Sequence, residues 1–151
     1  MGNPAKILVV DDDESIRSSL TAVLRDEGYA VDVAASGGEA IRKSEETVYN
    51  LALIDIKLPD MEGIDILTRM KDTVPKVRKI MMTGFPSVQN AIAAVNRKAD
   101  AYLVKPLEVE KLLGTIREQL KLQENEKQYN EQKVTEFIET RVRQLEKTAT
   151  S

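Results

Sequence analysis

The sequence predicts an α/β protein built on a doubly wound, five-stranded parallel sheet. Two observations predict this class: five short apolar runs alternate with segments of helical periodicity, and several of the runs are apolar without interruption. Uninterrupted apolar strands are typical of parallel sheets that are buried on both faces. Right-handed crossovers between such strands place helices on both sides of the sheet.

Strands and helices follow one another from the N-terminus. The predicted strands are residues 7–10, 29–35, 51–56, 77–83 and 101–104. After the first strand, Ile16, Leu20, Val23 and Leu24 fall on one face of a helix that Gly28 ends. The later helices have these apolar positions: Ala40 and Ile41; Ile64, Leu67 and Met70; Val88, Ala91, Ile92 and Val95; Val109, Leu112, Leu113, Ile116 and Leu120.

The last helix is predicted to continue beyond the sheet to about Glu146. Residues 123–133 are polar, but an apolar stripe returns after them, and the region contains no proline or glycine. We therefore expect a first domain over residues 1–122 and a helical extension over residues 123–151. Because an isolated helix is marginal in water, a second copy is its expected stabiliser. A solvated helix and a linker to a further domain are the other interpretations.

Composition excludes several kinds of chemistry. The 151 residues include no cysteine and no histidine, so disulfides, thiolate catalysis and imidazole ligands are excluded. The net charge is −3 and the extension is not basic, so we expect no direct nucleic-acid binding. No apolar run could span a membrane and the N-terminus lacks an apolar signal core, so we expect a cytoplasmic protein without membrane contact.

Residues capable of chemistry follow four of the five strands. They are Asp11, Asp12 and Asp13 after the first strand, Asp55 at the end of the third, Thr83 at the end of the fourth and Lys105 after the fifth. Open α/β sheets bind ligands at the carboxyl ends of their strands. We therefore expect these side chains to converge at one edge of the sheet.

The expected edge suits phosphate chemistry with a divalent cation. Two like charges about 4 Å apart cost on the order of 4 kcal/mol at an effective dielectric near 20, so clustered carboxylates need a counter-charge. An all-oxygen site suits Mg²⁺. Lys105 and Thr83 then offer a cation and a hydroxyl to phosphate oxygens. Asp55, held by a strand, suits a carboxylate nucleophile that forms an acyl phosphate.

At these residues the chain resembles the receiver domain of two-component response regulators, the CheY-like family. The resemblance covers residues 5 to about 122. It rests on four motifs in the family's order and spacing: KILVVDDDES, LALIDIKLPDMEG, KIMMTG and DAYLVKP. It implies a flavodoxin-like sheet with strand order 2-1-3-4-5, to which the C-terminal helical extension is added.

The resemblance also implies a role for each phosphate-binding residue. Asp55 would accept phosphate from the phosphohistidine of a sensor histidine kinase or a phosphotransfer protein. Thr83 and Lys105 would bind the phosphoryl group, and the Lys105–Pro106 peptide would be cis. Such a protein is a phosphoacceptor switch that catalyses its own phosphorylation and dephosphorylation, and it is not a turnover enzyme.

The metal site and the switch are implied in the same way. Asp12 would ligate Mg²⁺ directly, Asp11 mainly through water, and Asp55 and the backbone carbonyl of Lys57 would be further ligands. On phosphorylation the Thr83 hydroxyl would move inward, and the Tyr102 ring would follow into the space released. The face formed by the fourth helix, the fifth strand and the last helix would then change shape for a downstream protein target.

Two other functions are alternatives at this point. A structural receiver that no longer takes phosphate would have the same fold, although every residue needed for phosphorylation is present. A phosphatase of the haloacid dehalogenase type would use Asp11 and Asp13 as its Asp-x-Asp motif. That class needs an acidic pair after a later strand, where this chain has Met82, Thr83 and Gly84. It would also leave Asp55 unexplained.

Overall fold

Strands and helices alternate along the chain in the predicted order. The computed structural model describes residues 3–84 and 86–150. The elements are β1 (Lys6–Val10), α1 (Glu14–Asp26), β2 (Ala30–Ala34), α2 (Gly37–Glu46), β3 (Leu51–Asp55), α3 (Gly63–Arg69), β4 (Arg78–Thr83), α4 (Val88–Asn96), β5 (Ala101–Val104) and α5 (Val109–Thr150). The sheet order is β2-β1-β3-β4-β5, and every neighbouring pair is parallel. The predicted fold class and strand order are confirmed.

Each face of the sheet supports its own apolar cluster. Ile7 of β1 belongs to a cluster with Leu24 of α1 and Ile116 of α5. Its neighbour Leu8 belongs to the opposite cluster, which includes Ile66 of α3. Successive strand residues point to opposite faces, so a strand covered on both faces is apolar at consecutive positions. Each fully buried side chain of this size contributes roughly 1.5–3 kcal/mol.

The fourth helix packs differently from the others. Val88, Ile92 and Val95 share one face, as the sequence predicts, but they are 75%, 54% and 73% exposed. The residue that α4 buries is Ala94. A small side chain lets the helix backbone lie close to the sheet, and the branched side chains are left facing solvent.

The last helix is longer than predicted, since it continues to Thr150. Its 42 residues correspond to about 63 Å at a rise of 1.5 Å per residue. Val134, Phe137, Ile138, Val142 and Leu145 are all exposed. Within the described residues, no helix is long and apolar enough to cross a membrane.

Two buried glutamines attach α5 to the amino-terminal edge of the sheet. The side-chain Nε2 of Gln123 donates to the carbonyls of Asn50 and Lys76, both at 2.8 Å. The Oε1 of Gln119 accepts from Nε of Arg78 at 3.0 Å. Gln123, the first residue of the predicted extension, is therefore held by the edge of the sheet. The division of the chain after residue 122 stays a prediction.

Candidate functional site

The carboxyl ends of four strands bring the chemically active side chains together. Asp11 follows β1, Asp55 ends β3, Thr83 ends β4 and Lys105 follows β5. One carboxylate oxygen from each of Asp11, Asp12 and Asp55 lies within 4.8 Å of the other two. The convergence expected from the strand ends is therefore present for these three carboxylates, whereas the side chain of Asp13 caps α1 by accepting from the backbone N–H groups of Ser15 and Ile16.

Lys105 lies between two of the carboxylates. Its Nζ is 2.7 Å from Oδ2 of Asp11 and 3.3 Å from Oδ2 of Asp55. The side chain of Asp11 is fully buried, and those of Asp55 and Lys105 are mostly buried. The ammonium group therefore offsets part of the repulsion that the sequence argument assigned to a metal ion alone.

The charges of this cluster change the protonation of its members. Burial raises the pKa of Asp55, and the nearby charge of Asp11 raises it further, while Lys105 opposes both effects. For Lys105, burial lowers the pKa, but the hydrogen bond to Asp11 and the charges of both aspartates outweigh it, so its pKa lies above the usual value. The folded site thus favours a protonated lysine beside carboxylates that repel one another.

Backbone contacts fix the orientation of both buried aspartates. Oδ1 of Asp11 accepts from the backbone N–H of Asp13 at 2.9 Å, and Oδ1 of Asp55 accepts from that of Lys57 at 3.3 Å. Arg17, one turn into α1, donates from Nη1 to the carbonyl of Asp11 at 2.8 Å. The role of Arg17 could not be predicted from the sequence, because nothing in its local pattern indicates a contact with a loop carbonyl.

The loop after Asp55 depends on a glycine at the start of α3. A β-carbon on Gly63 would lie 1.9 Å from the carbonyl oxygen of Asp55. The backbone N–H of Gly63 donates to the carbonyl of Ile56 at 2.6 Å, so the two segments are in direct contact. Only a residue without a side chain fits this approach. In the sequence, Gly63 is recognisable only as the last residue of the motif LALIDIKLPDMEG, which gives no indication of this contact with the site.

Asp60 ties the same loop to a neighbouring helix. Its two carboxylate oxygens accept from the backbone N–H groups of Gly38 and Gly37 at the start of α2, both at 2.8 Å. These hydrogen bonds lower the pKa of Asp60. A carboxylate also suits the positive end of the helix dipole. The segment after Asp55 is therefore held at both α2 and α3.

Thr83 and Tyr102 lie on the same face of the sheet. Thr83 pairs with Val104, and Met81 pairs with Tyr102, so Thr83 and Tyr102 point to the side covered by α4. Thr83 is buried, and the hydroxyl of Tyr102 is buried without a hydrogen-bond partner among the described residues. The Lys105–Pro106 peptide is cis, as the resemblance implied.

The donor set fits a hard divalent cation. All three carboxylates offer oxygen; Asp12 is exposed, Asp11 is fully buried and Asp55 is mostly buried. Mg²⁺ prefers oxygen ligands and retains several waters, which a site with one open side allows. The residues present therefore fit the metal that the sequence analysis expected.

Replacing Asp55 by asparagine should raise the melting temperature of the metal-free protein by about 2–4 °C. The raised pKa of Asp55 means that its ionised form is less stable in the fold than in the unfolded chain. Folding stability is therefore lost as the pH rises from the ordinary aspartate pKa through the raised one, and asparagine avoids this loss. The gain should be present at pH 7, shrink as the pH falls towards the ordinary value, and shrink in saturating Mg²⁺. Equal melting temperatures at pH 7 without metal would contradict this.

The fold and the site define a doubly wound α/β protein with an acidic, lysine-containing centre at the carboxyl edge of its sheet. The family model of the response regulator receiver domain matches residues 7–117. The chain belongs to this family of two-component signalling proteins.

Individual relatives agree with this assignment. A CheY-like receiver domain protein from Methanospirillum hungatei JF-1 is 46% identical with a TM-score of 0.78, over 82% of this chain and 98% of that chain. A response regulator from Burkholderia pseudomallei, solved with a phosphorylated aspartic acid, a calcium ion and citrate, is 30% identical with a TM-score of 0.66, over 72% and 64%.

The curated relatives are longer proteins. Transcriptional regulatory protein ZraR from Klebsiella oxytoca is 41% identical over 119 residues, which are 79% of this chain but 27% of that protein. TrcR from Mycobacterium tuberculosis is 32% identical over 77% of this chain and 45% of its own length. The chain thus spans about a quarter to a half of these two relatives.

Proposed function

We propose that this protein is a phosphoacceptor switch in which Asp55 takes a phosphoryl group from the phosphohistidine of a kinase or phosphotransfer partner. The observation that carries the proposal is the position of Lys105, whose Nζ contacts both Asp11 and Asp55. A nucleophilic carboxylate with a cation at its side, at the end of a buried strand, is suited to phosphoryl transfer. The phosphorylated aspartic acid of the Burkholderia pseudomallei relative supports the same chemistry.

In the proposed reaction, an Asp55 oxygen attacks the phosphorus of the donor. A phosphorus–oxygen bond forms, the phosphorus–nitrogen bond breaks, and its electron pair returns to the imidazole. Lys105 and the Thr83 hydroxyl would bind the phosphoryl oxygens and offset their charge. Water would later attack the acyl phosphate, which restores the carboxylate and releases phosphate.

The acidic residues have a second task in this proposal. Asp11, Asp12, Asp55 and the backbone carbonyl of Lys57 would hold Mg²⁺, which supplies positive charge to the phosphoryl oxygens when it is bound. Lys105 would then move its contact from Asp55 to the phosphoryl group, since phosphorylation removes the negative charge on one carboxylate oxygen.

The output of the switch would be the surface of α4, β5 and α5. Thr83 and Tyr102 lie on one face of the sheet beneath α4. A shift of either side chain would therefore reach a helix whose outer face is Val88, Ile92 and Val95, all exposed. An exposed apolar helix face is suited to a downstream protein target.

Incubation with acetyl phosphate and Mg²⁺ should add one phosphoryl group to the protein, as measured by intact mass. The adduct should be absent with a chelator and absent in Asp55→Asn. Asp72→Asn, an exposed aspartate at the opposite edge of the sheet, is the matched control and should be phosphorylated normally. An adduct that persists in Asp55→Asn would refute the assignment. Absence of both an adduct and a beryllofluoride-induced rise in melting temperature would favour the structural receiver.

A phosphatase would behave differently in the same experiment. It would release many equivalents of phosphate from a phosphomonoester for each protein chain, and Asp11→Asn would abolish this release. A phosphoacceptor switch should give no turnover of a phosphomonoester.

We also propose that the exposed part of α5 pairs with a second copy of this chain. Apolar residues from Val134 to Leu145 are unpartnered on a helix that has left the sheet, and such a helix is marginal alone. Ile138→Glu should weaken self-association at least about tenfold, or about 1.4 kcal/mol, in sedimentation equilibrium. Thr140→Glu places the same charge off the stripe and should have little effect. A wild-type protein that stays monomeric at all concentrations would favour a linker or a solvated helix.

Two further expectations remain proposals. The relatives named as transcriptional regulatory proteins match this chain over only part of their length. The expected lack of direct nucleic-acid binding therefore concerns only the 151 residues of this chain. We also propose a cytoplasmic location, because the chain belongs to the receiver family and a receiver would meet its histidine kinase there.

A further inference from the structure

We propose that a cavity at the amino-terminal edge of the sheet, opposite the acidic site, binds a small polyanion with two or more phosphate or carboxylate groups. The cavity has a volume of about 350 Å³ and lies between the loop before β4, the start of β4 and the end of α4. This volume is at the lower end of the range for small-molecule sites. The proposal does not depend on the chemistry of Asp55.

The charge of the cavity differs from that of the whole chain. Five cationic side chains line it: Lys76, Arg78, Lys79, Arg97 and Lys98. Only two carboxylates, those of Asp72 and Asp100, line it as well, which leaves a local excess of three positive charges. The chain as a whole has a net charge of −3. A concave surface with an excess of one sign of charge attracts counter-ions of the other sign.

Several of these cations are available to a ligand. Arg78 is already committed, because it contacts Asp100 at 3.3 Å and Glu126 at 3.7 Å. In contrast, the side-chain ammonium groups of Lys76 and Lys98 have no hydrogen bond or ion pair among the described residues, and both residues are exposed. These two lysines can therefore bind an anion without breaking an existing contact.

The half-buried Lys79 provides a donor inside the cavity. Its Nζ donates to the carbonyl of Leu67 at 2.6 Å, which uses one of its three hydrogens. Burial lowers the pKa of Lys79, while the charges of Asp72 and Asp100 oppose this effect. An anion in the cavity would further stabilise its ammonium form. Arg97 has one long contact, at 3.7 Å to Asp65, and both side chains are about half exposed.

The backbone conformation of Lys98 is the second, independent observation. Its φ is +66°, in the left-handed region where a β-carbon is unfavourable and glycine is the usual residue. The other described residue with positive φ at the end of a helix is a glycine, Gly28. Strained backbone conformations cluster at functional sites, and the side chain of Lys98 lines this cavity.

Melting temperatures with and without pyrophosphate test the proposal on the full chain, in a buffer freed of metal ions by passage over a chelating resin. Millimolar pyrophosphate should raise the melting temperature of the wild type by about 2–4 °C. Lys98→Gly should melt higher than the wild type without ligand, since the strain is relieved, but should lose the response to pyrophosphate. Calorimetric titration should give at least about tenfold weaker binding for Lys98→Gly. Citrate in place of pyrophosphate distinguishes carboxylate from phosphate ligands.

Two control variants locate the bound anion. Lys121→Ala removes an exposed lysine of α5 outside the cavity and should respond as the wild type does. Lys105→Ala tests whether the anion binds at the acidic site instead. If Lys105→Ala loses the rise in melting temperature with pyrophosphate while Lys98→Gly keeps it, the proposal is overturned. No response in the wild type, or an equal response in Lys98→Gly, would also overturn it. Phosphorylation of Lys98→Gly by acetyl phosphate should be normal. A failure of the anion-binding proposal is therefore distinguishable from a failure of the proposed phosphoacceptor function.

Discussion

Lys105→Met should lower the free energy of unfolding of the metal-free protein by about 3 kcal/mol. The variant removes the ammonium group that lies within 3.3 Å of the carboxylates of both Asp11 and Asp55, and it keeps a side chain of similar length. Asp11 is fully buried, so its charge would lose a partner at 2.7 Å without gaining contact with water. Urea unfolding in a chelator measures the loss.

A second substitution separates this electrostatic effect from lost packing. Asp11→Asn combined with Lys105→Met removes the uncompensated charge and should recover most of the stability. Lys111→Met, at an exposed position of α5, is the matched control and should change stability by less than about 0.5 kcal/mol. Saturating Mg²⁺ should shrink the loss in the single variant. A loss below about 1 kcal/mol, or no recovery in the double variant, would mean that Lys105 does not stabilise the buried carboxylates.

Most of the fold could be predicted because its signals are local. The strand predicted at residues 7–10 is found at Lys6–Val10, and the one predicted at residues 101–104 is found at Ala101–Val104. Consecutive apolar residues identify a strand covered on both faces without any knowledge of its neighbours. Parallel pairing and the right-handed crossover rule then restrict the topology to few arrangements.

The site could be predicted only in part. Its members follow from a rule about strand ends, which places Asp11, Asp55, Thr83 and Lys105 at one edge. The rule gives no distances, so it did not reveal that Lys105 contacts Asp11 more closely than Asp55. The sequence predicts phosphate as the partner of Lys105, whereas in the structure this lysine also offsets the charge of the buried carboxylates.

Features that depend on distant segments could not be predicted from periodicity. Gln123 is polar and begins a polar stretch, yet it is buried because its amide meets the carbonyls of Asn50 and Lys76. Conversely, Ile92 has the spacing of a core residue but is exposed, since α4 meets the sheet through Ala94. In both cases the partner across the fold, and not the local pattern, decides which side chain is covered.

Gly63→Ala should lower the free energy of unfolding by about 3 kcal/mol and slow phosphorylation of Asp55 by acetyl phosphate about 100-fold. The new β-carbon would lie 1.9 Å from the carbonyl oxygen of Asp55 and 2.8 Å from its carbonyl carbon. Both are backbone atoms, so no side chain can rotate away, and the start of α3 or the end of β3 must move. Because β3 is central in the sheet, we expect the loop beside Asp55 to absorb most of the displacement.

Gly114→Ala is the matched control, because a β-carbon on Gly114 of α5 would meet no atom within 4 Å. This change should raise stability by roughly 0.5–1 kcal/mol, as expected for alanine in place of glycine inside a helix. Urea unfolding and the rate of adduct formation by intact mass give the two readouts. Normal stability of Gly63→Ala would mean that the loop relaxes at little cost. Reduced stability with an unchanged phosphorylation rate would mean that the position of Asp55 is fixed by β3 alone, independently of the loop that follows it.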